Sequence, residues 1–400
     1  MRIKSIVLGL IILMSLAGIA QTNYIGQKTI TTAVPFLLIA PDSRSGGMGE
    51  LGVASDPDAN SMHYNPAKYA FIKKDMGFAV SYSPWLRELV NDINLAYLSG
   101  YKRINDRSAV ALSLLYFSLG NITFTDITGE KIGDYKPNEF AFDATYSRKF
   151  SDYISGAVSA RYIHSNLTQG QSVGGQSTKP GTSIATDVAV YYTKELTIGG
   201  LEYASWAFGA NISNIGAKIS YSNDDKTKDF IPTNLRLGPS FTMDLDDYNR
   251  LSFEVDFNKL LIPSPPVYKL DSLSMPIPIP GTDKYEIEKG KDPDVGIVAG
   301  MLQSFSDAPD GFSEELQEIN WAVGVEYWYD KQFAIRGGYF HESAVKGNRQ
   351  FFTLGAGVRY SVFGLDFSYL IPTEQQNPLQ NTLRFTLSFD FEAFQKQTTE

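Results

Sequence analysis

The sequence predicts an all-β protein: a transmembrane antiparallel β-barrel of about 14 strands, with an N-terminal hatch in its lumen. Three observations predict it. From residue 75 onward, segment after segment alternates apolar and polar residues with period two, each near the length that spans an outer membrane. The connections between these segments alternate between short and long, as in barrels with tight turns on one side and long loops on the other. Ahead of the strands lies a glycine-rich stretch with regularly placed apolar anchors, which suits neither helix nor strand and reads as something packed inside a larger shell.

Taken in order, Met1 to Ala20 reads as a secretory signal. Arg2 and Lys4 form its basic start, Ile6 to Leu16 its apolar core, and Gly18-Ile19-Ala20 a small-residue cleavage site that leaves Gln21 first. The apolar run is short for a membrane span. Residues 21–74 read as a periplasmic lead-in, Gln21 to Pro41, followed by the hatch. In Asp42 to Phe71, Gly46, Gly47, Gly49 and Gly52 loosen the backbone and Pro57 and Pro66 interrupt helix. Met48, Leu51, Val53, Met62, Tyr64, Tyr69 and Phe71 are the anchors. Gly46, Gly47, Gly49, Asn60, Asn65 and Pro66 are the candidate hatch residues.

The barrel is assigned to residues 75–393, with 394–400 a C-terminal tail. Its clearest strand is Leu251 to Asn258, with Leu, Phe, Val and Phe on one face and Ser, Glu, Asp and Asn on the other. The pattern repeats at Phe140 to Ser147, around Arg236, and at Phe352 to Arg359. A last strand presents Leu383, Phe385, Leu387, Phe389 and Phe391 against Arg384, Thr386, Ser388 and Asp390. In a barrel the apolar face points at lipid and the polar face at a wet lumen.

Short connections fall at Asn105-Asp106, Ser151-Asp152, Asp246 to Tyr248, Asp330-Lys331 and Val362-Phe363. Long ones fall at Gly120 to Asn138, Asn166 to Gly181, Asn214 to Thr233 and Leu261 to Leu316. An even strand number puts both termini on the side of the short turns. A barrel of this size is too wide for wall side chains to fill. The hatch amides then need partners, and inward residues such as Asp143, Arg161, Asp187, Arg236, Glu254, Arg336 and Arg384 can supply them.

The longest loop, 261–316, is expected outside the cell. Pro263, Pro265, Pro266, Pro276, Pro278 and Pro280 stand among Leu and Ile and favour stiff, extended backbone. Gly296 to Phe305 reads as a short helix, and Ser313 as the cap of another. An apolar, structured outer loop is a candidate docking surface, or else a lid on its own barrel. The Trp85-Leu86 tip of the first outer loop carries the same two readings.

Other chemistry is sparse. A formal charge of −9 argues against nucleic acid, which needs a basic surface. Cysteine is absent, so there is no disulfide and no thiolate metal site. His63, His164 and His341 stand in no metal-ligand spacing. Gly170 to Gly174 matches G-x-S-x-G in a polar loop, without the strand and helix a nucleophile elbow needs. Glu254 and Asp256 share one strand face, where inward charges form a solvation network more readily than an acid–base pair. The plug glycines do not follow a strand and open a helix, so they form no phosphate loop. No catalytic residue, metal ligand or cofactor is assigned.

Three stretches carry a family resemblance. Ala59-Asn60-Ser61-Met62-His63-Tyr64-Asn65-Pro66-Ala67 resembles the Asn-Pro-Ala hatch signature of FadL-type outer-membrane proteins. Together with Ser83-Pro84-Trp85-Leu86 and with Gln303 to Leu316, it resembles more closely the PorV (LptO) family of the type IX secretion system. The likeness spans nearly the whole mature chain. It departs at Asp310, where relatives are expected to carry glycine.

The resemblance implies a non-enzymatic outer-membrane protein that binds exported cargo by its C-terminal signal domain. It implies shuttling of that cargo from the type IX translocon to the cell-surface sortase, in contact with outer-membrane lipid and lipopolysaccharide. Trp85, Leu86, Phe305, Pro309 and Phe312 are the candidate partner-binding residues. The alternative is a FadL-like channel for hydrophobic small molecules, which needs an apolar path from the outer loops into the wall. A lipopolysaccharide-modifying enzyme, a third reading, needs a catalytic cluster that the sequence does not display.

Overall fold

The computed structural model describes residues 28–391, apart from 88–89, 91, 126–127, 171–176, 200–202, 223–227 and 375–376. The signal segment, the 394–400 tail and the centre of the Gly170 to Gly174 motif lie outside the described residues.

The strands are β1 (Met76–Pro84), β2 (Asn94–Asn105), β3 (Ser108–Ser118), β4 (Ile122–Thr125), β5 (Lys131–Tyr135) and β6 (Asn138–Lys149). Then come β7 (Ile154–Asn166), β8 (Gly181–Leu196), β9 (Tyr203–Gly216), β10 (Asn234–Asp244), β11 (Asn249–Leu260), β12 (Val267–Tyr268) and β13 (Ile287–Lys289). The last are β14 (Ile319–Tyr329), β15 (Phe333–His341), β16 (Gln350–Tyr360), β17 (Phe363–Pro372) and β18 (Leu383–Asp390). All but β4, β5, β12 and β13 form one closed antiparallel barrel, in which β1 seals against β18 from Gly77↔Asp390 to Tyr82↔Phe385. That leaves fourteen barrel strands, the number the alternation predicts. The pairs β4–β5 and β12–β13 are hairpins carried on the long loops. Closure satisfies every ladder amide within the wall, so the wall stands in lipid without an edge.

Side-chain alternation follows the pleat. In β11, Phe253 and Phe257 face out while Glu254 and Asp256 are buried inside. In β16 and β18, Phe352, Leu354, Val358, Phe385 and Leu387 are exposed and Thr353, Arg384 and Thr386 are buried. The inward charges pair across neighbouring strands and, from β15 to β17, across the strand between. Arg161 lies 2.5 Å from Asp143 and 3.1 Å from Asp187, and Arg336 lies 2.6 Å from Glu326 and 2.8 Å from Asp366. Among the described residues no helix is long and apolar enough to cross a membrane.

The turns follow the expected alternation, with two shifts of one residue: Asn105 ends β2, so the first tight turn is Asp106-Arg107. Phe363 begins β17, so the last tight turn is Ser361-Val362. Asp330 and Lys331 both adopt positive φ, which matches a tight hairpin to the strand twist. Two other expectations need correction. The lead-in does not lie among the short turns. The Lys28 amide donates to the Val345 carbonyl at 2.8 Å and the Ala33 amide to the Phe230 carbonyl at 2.9 Å, so residues 28–41 occupy the long-loop end of the lumen. Ala33, Val34, Phe36 and Leu37 are apolar enough to pack there with Trp85, Leu95, Leu115, Phe117, Ile163, Ile219 and Ile231. The helix expected to start at a Ser313 cap runs instead over Phe312–Gln317. Its cap position is Gly311, at φ 74°, with no side-chain cap.

Candidate functional site

The hatch folds as short helical turns, Ser43–Gly46, Ser61–Tyr64 and Pro66–Phe71, separated by the glycine and proline breaks. Asp42 caps the first turn by accepting from the Ser45 amide. Some hatch amides bond within the hatch, and others are satisfied by the wall. Gly52 and Val53 donate to Asp256 Oδ2 at 2.8 and 3.2 Å, and Ala54 donates to Glu254 Oε1 at 3.1 Å. Gly49 donates to Thr353 and Ser43 to Thr386. Arg44 forks onto both oxygens of Glu326, and Arg384 pairs with Glu50. Buried Lys68 holds the hatch to itself, donating to the Gly52 carbonyl at 2.7 Å and Ser55 Oγ at 2.8 Å.

The hatch residues singled out in the sequence each take a definite place. Asn65 is fully buried. Its Nδ2 donates to the carbonyls of Val53 at 2.9 Å and Val190 at 3.0 Å, and its Oδ1 accepts from the Ala67 amide at 3.0 Å. One side chain therefore fastens two hatch segments and β8. Pro66 opens the following turn, where its fixed φ suits the first helical position. Asn60 accepts from Ser99 on β2. Gly46 and Gly47 lie against β16–β18, where a Cβ would come within 2.9 Å of Arg384 and of Gly355.

Of the inward residues expected to serve the hatch, Glu254 and Arg384 do so. Asp143, Arg161, Asp187 and Arg336 are absorbed in wall pairs, while Arg236 stacks over the Tyr64 ring at 5.0 Å. The sequence reading missed Asp256 as the double acceptor and missed the wall glycines. A Cβ on Gly209 would lie 2.0 Å from the Val53 carbonyl oxygen, and one on Gly338 would lie 2.2 Å from the Met48 carbonyl carbon. Glycine inside a strand marks such close backbone approach, and that was the available signal. Beneath the hatch, on the short-turn side, opens a cavity of 740 Å³ lined by Asp56, Asp58, Tyr191, Arg250, Trp328 and Arg359, among others.

At the opposite end, the long loop presents helix Ile297–Gln303 and helix Phe312–Gln317. The second is turned inside out. Its acids are buried, Glu314 at 3% and Glu315 at 7% exposure, while Phe312 at 76% and Leu316 at 53% face solvent. The cause is an ionic clasp. Glu314 meets Lys346 at 2.7 Å and Lys28 at 3.1 Å, and Glu315 meets Lys259 at 3.1 Å. Adjacent Glu318 meets Lys259 at 2.6 Å and Lys346 at 2.9 Å. Burial acts to raise the Glu314 carboxyl, but hydrogen bonds from Lys346, the Asp310 amide and Lys28 outweigh it and hold it below its ordinary value. Asp310 supplies a further carboxylate to Lys28, at 2.5 Å, and to Lys289, at 3.3 Å.

The candidate docking residues separate accordingly. Phe305 and Phe312 are exposed and Pro309 is half-buried; Val298, Leu302 and Leu316 of the same loop are also exposed. Trp85 is corrected: it is 9% exposed, sits in the apolar cluster with Phe36 and Leu37, and has Arg384 5.7 Å from its ring. Its amide donates to the Ile93 carbonyl, which closes the base of the first outer loop and turns the ring inward. Leu86 packs half-buried against the same cluster. Among the described residues no group of three or more His, Asp or Glu is placed to hold a metal ion.

No curated protein matches the chain. Among solved structures it is similar to the Pseudomonas putida toluene transporter TodX, at 11% identity over 91% of this chain and 99% of that one, with a TM-score of 0.47. It is also similar to the Ralstonia pickettii toluene transporter TbuX, at 10% identity over 88% and 98%, TM-score 0.42. A Pseudomonas aeruginosa FadL homologue matches at 12% identity over 92% and 100%, TM-score 0.40. The family model described as "Type IX secretion system protein PorV" matches residues 22–267, which take in the hatch and the barrel through β11. The chain belongs to the PorV family of type IX secretion system proteins, and it is an outer-membrane β-barrel.

Proposed function

We propose that this barrel binds exported proteins at its long-loop face and carries them from the translocon to the sortase at the cell surface. One observation carries the reading: the inside-out helix Phe312–Gln317. Burying carboxylates while leaving a phenylalanine and a leucine in water is unfavourable for an isolated barrel, and lysines from three separate elements maintain it. Taken together with exposed Val298, Leu302 and Phe305 of the same loop, these side chains are read as an apolar ridge suited to the anchors of a protein interface. Membership of a type IX secretion family supports an exported protein as the partner, and the reading takes the part bound to be the C-terminal signal domain of type IX cargo. The barrel's role is mechanical: the wall and its filled lumen hold the ridge rigid at the membrane surface. The binding chemistry is burial of apolar surface, with no bond made or broken.

The test is a binding measurement with a purified type IX C-terminal signal domain and the barrel in lipid nanodiscs. Wild type should bind. Phe305→Ser, Phe312→Ser and Leu316→Ser together should weaken binding by about tenfold or more, since an anchor residue is worth roughly 2 kcal/mol. Equal binding by a correctly folded triple variant would remove the ridge from the interface. No binding by wild type, with hydrophobic small molecules bound in its place, would favour the channel reading.

A further inference from the structure

The N-terminal segment 28–41 joins two parts of the molecule that the function does not yet connect. At one end, Lys28 is a member of the clasp on the long loop, by its backbone amide to Val345 and by its Nζ to Asp310 and Glu314. At the other end, the chain runs directly into Asp42 and the first hatch turn. That turn is fixed to β18 by the Ser43 amide and Oγ on Thr386. Between these points the segment is packed rather than loose. Val34, Phe36 and Leu37 are buried in the apolar cluster, and Ala40 and Pro41 are buried beyond them.

Two details show that this packing is held under constraint. Val34 adopts φ 49°, a left-handed conformation that a β-branched residue takes only when its surroundings enforce it. The enforcing contacts are the Ala33 amide on the Phe230 carbonyl and the burial of Val34 itself. Second, the same cluster contains Trp85, whose ring lies against Arg384, and Arg384 is the partner of hatch residue Glu50. The segment therefore reaches the hatch by two routes, along the backbone and through Trp85 to Arg384.

We propose that residues 28–41 are a tether coupling the long outer loop to the lumen hatch, so that displacing the clasped loop loosens the hatch. The contacts involved are all within the chain, so the proposal stands independently of which molecule engages the ridge. A partner that pulled helix Phe312–Gln317 off its lysines would withdraw Glu314 from Lys28. The segment would then be held beyond Ala33 by the Lys28 amide on Val345 without its side-chain clasp on Glu314, and the strained Val34 conformation could relax by shifting Phe36 and Leu37 within the cluster.

The test is hydrogen exchange, followed by mass spectrometry, on the purified barrel in nanodiscs without any partner. Lys28→Ala and Glu314→Gln should each speed exchange in residues 305–318, and should also speed it in hatch residues 43–54, by about three- to tenfold. Wall peptides from β6 and β7 should stay unchanged. Faster exchange in the loop with an unchanged hatch would overturn the coupling, as would no change in either. If wall peptides also quicken, the variants have loosened the whole barrel. The decision then passes to Lys28→Cys with Val345→Cys, whose backbones are hydrogen-bonded neighbours. Oxidation of that pair should slow hatch exchange relative to the reduced form of the same protein, and equal rates would overturn the proposal.

Discussion

Asn65→Ala should open the hatch without unfolding the barrel. The side chain makes three hydrogen bonds, to the Val53 carbonyl, the Val190 carbonyl and from the Ala67 amide, at a fully buried position. At about 1 kcal/mol net for each, the loss is about 3 kcal/mol, and the stranded Ala67 amide pushes it higher. None of these bonds belongs to the wall ladder, whose hydrogen bonds close on themselves. A change of about 3 kcal/mol raises the open-hatch population by roughly a hundredfold. Adding Pro66→Ala frees the turn that follows and should enlarge the effect. The assay is conductance in planar bilayers, with heat-modifiable migration on gels as the check that the barrel is folded. Open events should become frequent in the variant. Asn65→Asp keeps the acceptor for Ala67 but puts a carboxylate against two carbonyl oxygens, so it should be no milder. Wild-type conductance from a normally migrating Asn65→Ala barrel would refute the view that this residue locks the lumen.

Three further outcomes are expected. Gly338→Ala should expel the hatch from its seat, seen as protease cleavage between residues 43 and 71, because its Cβ would fall 2.3 Å from the Gly49 nitrogen. Gly337→Ala should be harmless, since its nearest contact is at 3.9 Å. Loop cleavage between residues 305 and 318 should be low at neutral pH and rise as the medium is acidified below about pH 4.5. The Glu314 carboxyl is held below its ordinary 4.5, so its contribution is present above that value and lost as pH falls through the folded one, and Glu314→Gln should be cleaved at every pH. Single cysteines at Leu273 and Phe312 should react with an impermeant thiol reagent on intact cells while cysteines at Asp152 and Lys331 should not. The reverse pattern would invert the barrel.

Much of this architecture was legible because it rests on period-two alternation and on loop length. Those signals survive wherever one strand face meets lipid and the other a polar lumen. Leu251 to Asn258 shows the case, with Phe253 and Phe257 exposed and Glu254 and Asp256 buried as their polarity predicts. The hatch was legible for a related reason: glycine and proline remove both regular structures, and its apolar anchors require a shell. Trp85 was misread because a large apolar residue beside a turn has the same local signature whether it points out of a barrel or across its mouth. The lead-in was misplaced for the same kind of reason, since nothing local marks which end of a lumen a short apolar stretch such as Ala33 to Leu37 fills. The inside-out helix was hidden because Glu314, Glu315 and Glu318 look solvent-facing until lysines at 28, 259 and 346 are brought together by the fold. Wall glycines such as Gly209 and Gly338 stood in plain view, but only the seated hatch shows what they make room for.

The central claim is that the exposed ridge on the clasped loop is where secreted proteins are received. The most direct measurement is delivery of a reporter bearing a type IX C-terminal signal to the cell surface. It is scored in cells carrying Phe305→Ser, Phe312→Ser and Leu316→Ser at wild-type barrel abundance, beside wild type and a full deletion. The account predicts a reporter that fails to reach the surface in the triple variant and in the deletion. Normal surface delivery by the triple variant would contradict the ridge as the receiving site, and normal delivery by the deletion would contradict the carrier role itself.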